Sequence, residues 1–248
     1  MANEKTEVAK VEKERGLAPA PSFMEKGDRR GLETITKEDM LIPRLGLAQA
    51  LSPEVTEGDP KMVPGMKPGD LFNSLTKQIY PQPVYVQILR KDSLRAMEFI
   101  PLTENASGGV RDPNVPMGDP RLKWGDNGEK PKATLFRDFL AVILPGEGHP
   151  RREMIALSFK SSGIKVAKAL NGLIATRNKP IFAGRYQITS GLELKPKPHK
   201  VYLVDNADWV TEEDYKLGEE MWDAMKDLDV KIDRGHPETA GEEEDVPF

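Results

Sequence analysis

Flat rings set among cations are the residues in this sequence best suited to do chemistry. Trp124 stands in a run that also holds Arg111, Arg121, Lys123, Lys130 and Lys132. An indole between cations can stack on an unpaired base while the cations meet its phosphates. It can equally pin its own loop to the body, and the sequence leaves both readings open. Further pairs recur downstream: Arg137 with Phe139, Arg152 with Lys160, and Arg185 with Tyr186. Arranged along one groove, these would grip a single strand of nucleic acid. Phe139 and Tyr186 each have a core reading beside this one. In a regular strand Arg185 and Tyr186 face opposite ways, so at most one can line a groove.

Catalytic groupings are not evident. His149, His199 and His236 lie beside prolines without metal-ligand spacing. Gly146-Glu147-Gly148 lacks the third glycine and the following helix of a phosphate loop. Asp227 and Asp229 read as a helix end, and no Ser-His-Asp set or carboxylate pair stands out. No catalytic residue, cofactor or metal is expected. With no cysteine there are no disulfides or thiolate metal sites. No apolar run approaches a membrane span, and the N-terminus lacks a signal peptide's apolar region. The expected location is cytoplasmic.

Charge is unevenly divided. The net charge of −4 comprises −1 over residues 1–82, +9 over 83–200 and −12 over 201–248. A basic middle with an acidic end suits a polyanion binder that keeps an arm for partners. The last seven residues are Glu242, Glu243, Glu244, Asp245, Val246, Pro247 and Phe248. A terminal Phe offers a ring and a carboxylate on one residue, and Pro247 limits the freedom lost on docking. This ending resembles that of bacterial and phage single-stranded DNA-binding proteins, an acidic run closed by Ile, Val or Leu, then Pro-Phe. The likeness covers seven of 248 residues. It implies sequence-independent binding of single-stranded DNA, and a tip that recruits replication and recombination proteins. Two alternatives stay open: an adaptor that carries the docking tail without binding DNA, and a structural protein of a virus particle. A homo-oligomer is also open.

The elements that must position these residues follow from periodicity. Residues 1–35 read as a flexible arm and 44–50 as a strand limited by Pro43. Alternation marks a strand at 84–90 and its return at 96–100. A long loop spans 103–133, then strands run from 134 to 144 and 152 to 160. Ile164, Ala167, Leu170 and Ile174 mark a helix to about 176. Strands at 181–189 and 200–204 follow, and a last helix starts near 211. Residues 36–207 thus form the binding domain, 208–230 the C-terminal helix and 231–248 the acidic tail. The fold class is mainly β with two helices. The order β-β-β-α-β-β is that of an elaborated OB-fold-like Greek-key barrel of five or more strands.

Overall fold

The computed structural model describes residues 41–101, 104, 109–194 and 198–226. The N-terminal arm and the acidic tail therefore lie outside the described residues.

Two antiparallel sheets carry the fold. The smaller has the order β1-β2-β3, from Leu45–Leu47, Leu71–Asn73 and Ile79–Tyr80. The larger is built from β4 (Val84–Lys91), β5 (Arg95–Phe99), β6 (Val110–Asp112), β7 (Ala133–Ile143), β8 (Glu153–Lys160), β9 (Gly184–Glu193) and β10 (His199–Trp209). Its order is β10-β9-β4-β7-β5-β6, with β8 on the other edge of β7. Strand β7 is long enough to pair with β4 through residues 139–143 and with β5 through 133–136. Helix α1 (Gly163–Thr176) links β8 to β9, and α2 (Glu212–Met225) follows β10.

Alternation decides what each strand buries. Val84, Val86 and Ile88 of β4 share one core with Phe139, Ala141 and Ile143 of β7. Ile155, Leu157 and Phe159 of β8, Tyr186 and Ile188 of β9, and Ala167 and Leu170 of α1 complete it. The other face of β4 and β7 is covered as well. There Leu89, Val142 and Phe182 meet Tyr215, Met221 and Trp222 of α2. Buried Gln87 donates its amide to the carbonyls of Phe182 (2.7 Å) and Asp214 (2.9 Å), fixing the start of α2. A Cβ at Gly218 would run into that amide, so only glycine lets the helix sit so low.

The larger sheet is not closed into a barrel, which corrects the expectation of one. Strands β8 and β10 do not pair with each other, and the segment 42–49 lies between them. Ala156 donates to the Pro43 carbonyl at 2.8 Å, and Arg44 makes one parallel bridge to Ala156. On the other side the link is made by side chains. Tyr202 donates its hydroxyl to the Leu45 carbonyl at 2.7 Å, and the Gln49 amide pairs both ways with the Lys200 backbone at 2.9 Å. A ladder cannot complete the circle because Pro43 has no N–H and β1 spends its own ladder on β2.

Candidate nucleic-acid interface

The long loop leaves β5, pairs briefly with it as β6, and returns through a 3-10 turn at Pro120–Leu122 to β7. Val115 and Leu122 pack it against Ala96 and Ala133. Arg121 latches it, with ion pairs to Glu98 (2.8 Å), Asp112 (2.9 Å) and Asp119 (2.9 Å). Hydrogen bonds from Arg121 hold the Glu98 and Asp119 carboxyls below the usual range. At Asp112 the backbone N–H of Asn114 acts first and Arg121 second. Arg111 pairs with Glu104 and reaches Glu98 at 3.4 Å. Arg111 and Arg121, both expected to meet phosphate, thus have their guanidinium forks engaged by carboxylates of the same chain.

Beyond the latch, the loop narrows to a turn. The Gly125 N–H donates to the Glu129 carbonyl at 2.9 Å, and Gly128 takes a φ of +76° that suits glycine. Trp124, on the stem of this turn, is 64% exposed. Its indole makes no ring stack or hydrogen bond among the described residues. Leu122, not Trp124, anchors the loop to the body. Lys123, Lys130 and Lys132 are exposed around it, and none has an ion-pair partner among the described residues. Asp126 and Glu129 share the tip, so its local charge is only weakly positive.

From Lys132 the chain enters β7, where Phe136 pairs with Lys160 across to β8. The Lys160 ammonium sits 6.0 Å from the centre of the Phe136 ring. Four residues of strand separate Lys132 from Phe136 by roughly 13 Å. Desolvation and the charge of Arg44 together lower the Lys160 pKa. Lys160 stands one strand segment along β7 from the loop's lysines.

The remaining nominated residues lie elsewhere, so the set does not form one groove. Phe139 and Tyr186 are buried core residues, which corrects their reading as stacking platforms. Each occupies the inward register of its strand, where the apolar ring gains most from leaving water. Arg137 is half-buried opposite Phe159, its Nε shielded without an acceptor. Arg152 is engaged by Asp214 (2.7 Å) and Glu213 (3.1 Å), clamping the start of α2. Arg185 stacks on Tyr85, 3.9 Å from the ring centre, on the face opposite Tyr186.

A family model described as Pam3 phage gp34-like protein matches residues 12–101 and 121–231. The chain belongs to the Pam3 phage gp34-like family. No curated protein and no solved structure matched it. The matched stretches of this gp34-like chain omit 102–120, the first part of the loop. They take in the tip around Trp124 and end before Glu242. Among its described residues no helix is long and apolar enough to cross a membrane.

Several groupings in the gp34-like chain have no counterpart in the sequence reading. Ser162 Oγ lies 3.3 Å from His199 Nε2, and Glu193 Oε2 lies 3.6 Å from the same nitrogen. A proton relay needs its two partners on different ring nitrogens, so this is not a nucleophile–base–orienter geometry. His149 is buried edge-on to Tyr80, 3.8 Å from Glu153, and Glu153 in turn accepts from Tyr80 and Asn73. Burial lowers the His149 pKa against the opposing pull of Glu153. Residues 149 and 153 are one helical turn apart in number but sit in a turn and a strand, so spacing alone could not pair them. The third grouping is Arg177 with Trp209. Its only trace in the sequence is a tryptophan in a polar run two residues before the helix cap, Thr211.

Proposed function

We propose that this protein binds single-stranded DNA without regard to base sequence. The observation that carries the reading is Trp124: an indole exposed at the tip of a latched loop, among lysines that form no ion pair with the described residues. Stacking there and phosphate pairing at Lys123, Lys130, Lys132 and Lys160 need no base-edge contacts, hence no sequence preference. The acidic ending of residues 242–248, outside the described residues, supports recruitment of replication or recombination proteins.

The test is titration of a labelled oligo-dT with the purified protein, read by fluorescence anisotropy at two salt concentrations. Tight, salt-sensitive binding is expected, stronger for single than for double strands. Trp124→Ala should weaken it roughly tenfold, a single stacked base being worth about 1–3 kcal/mol. Absence of binding at low salt would overturn the reading. Removing residues 242–248 should leave or raise DNA affinity while abolishing capture of partner proteins, and a fall in DNA affinity would count against the tail's proposed role.

A second reading, the adaptor that docks partners without holding DNA, is favoured by one observation. Arg111, Arg121 and Arg152 are spent on carboxylates of the same chain. Partner capture without oligo-dT binding would establish it.

A further inference from the structure

Arg177, the residue after α1, lies between two rings. Its guanidinium carbon is 5.1 Å from the centre of Tyr186 and 4.4 Å from that of Trp209. Nη2 donates to the Asn206 side chain and the Asp208 carbonyl, so the cation cannot swing away. Tyr186 is buried behind it, whereas Trp209 is 51% exposed. One face of the indole is thus backed by a fixed cation while much of the ring remains open to solvent.

The backbone is distorted to hold it there. The β9–β10 register slips between Asn206 and Asp208. Asp208 takes a φ of +140°, and its carboxylate accepts from the Trp209 N–H at 2.8 Å. Bulges re-aim the side chains that follow them, and such a conformation at a residue other than glycine costs about 1–3 kcal/mol. Beside the indole is a shallow, largely apolar depression lined by Lys179, Pro180, Ala183, Val210 and Tyr215. Lys179 is exposed and has no ion-pair partner among the described residues.

We propose that Trp209 is a second stacking platform, which takes an unpaired nucleobase on its open face while Lys179 meets the adjoining phosphate. The proposal rests on the single-stranded DNA reading above. A ring with a cation on one face repels a second cation on the other, which disfavours a cationic ligand and leaves a neutral flat one. Of the carboxylates nearby in sequence, Glu212 and Glu213 are paired with Lys216 and Arg152, which leaves Asp205 and Asp208 to oppose any anionic ligand. The base itself is neutral, and Lys179 offsets them at the single adjoining phosphate.

The experiment uses the full chain with Trp124 and Trp222 changed to Phe, so that Trp209 is the sole emitter. Oligo-dT titration should quench that emission in parallel with the anisotropy of a labelled oligo-dT. In the otherwise native chain Trp209→Ala should weaken binding roughly tenfold, and Trp209→Phe should recover most of the loss. Thermal melting of each variant checks that it folds, and the single-emitter chain reports on the site even if Trp209→Ala does not. If oligo-dT binds but the Trp209 emission stays unmoved, the second platform is overturned and the DNA-binding reading survives. If the native chain does not bind oligo-dT at all, both are overturned.

Discussion

What an arginine can offer a ligand depends on what its fork already holds. Arg152 shows the point: its Nε lies 2.7 Å from the buried Asp214 carboxylate, which also accepts from the Thr211 hydroxyl that caps α2. Burial alone would raise the Asp214 carboxyl. The hydrogen bonds from Thr211 and Arg152 outweigh it and hold the group below the usual aspartate value. Arg152→Ala should therefore destabilise the fold by about 1–2 kcal/mol, part of the pair's worth being screened by the solvent that reaches Arg152. It should leave oligo-dT affinity unchanged. Because the folded carboxyl titrates below the unfolded one, its contribution is complete above the ordinary aspartate range and fades as pH falls below about 4. Chemical denaturation between pH 3 and pH 7 should show Asp214→Asn losing less stability with acid than the native chain. Equal acid sensitivity would sink the assignment. At this scale the sequence was least informative. Arg152 and Lys160 have the same charge, and only the position of α2 decides that one is clamped by carboxylates and the other is not.

Elements were more legible, because periodicity reports a face without needing to know what covers it. The alternation at 84–90, the β-branched and aromatic run from 134 and the 3.6-residue spacing of Ile164, Ala167, Leu170 and Ile174 correspond to β4, β7 and α1. Strands β2, β3 and β6 are two or three residues long, too short for a period to emerge from turn-rich chain. Strand β10 runs on to Trp209, well past Val204, since an edge strand with polar residues on its outer side carries little hydrophobic signal. The loop between β5 and β7 shows what sequence cannot settle: whether so long a connection is tied down. Its carboxylates converge on Arg121, so Arg121→Met should unlatch it. Limited proteolysis should then cut between residues 112 and 132 several-fold faster than in the native chain, with melting of the sheet little changed. Cleavage at the native rate would mean that Val115 and Leu122 alone suffice to hold the loop.

For the whole molecule, charge is a spatial quantity before it is a count. Residues 83–200 hold 20 Lys and Arg against 11 Asp and Glu, and Arg111, Arg121 and Arg152 are each engaged by carboxylates. Arg137 is half-buried with its Nε shielded, and Arg185 is stacked on Tyr85. What remains is the set Lys123, Lys130, Lys132 and Lys160. Binding to single strands should then weaken with salt at a log–log slope of about −3, each phosphate contact contributing roughly −0.7. Had all nine cations read from the sequence as phosphate contacts been engaged, the slope would be about −6. Replacing Lys123, Lys130 and Lys132 by Gln together should flatten it to about −1, whereas Arg111→Ala should leave it as it was. Anisotropy titrations of oligo-dT across a series of salt concentrations measure these slopes directly. A slope near −6 in the native chain, or one that Arg111→Ala flattens, would mean that DNA pulls the arginines out of their ion pairs. The binding surface would then be larger than these four lysines.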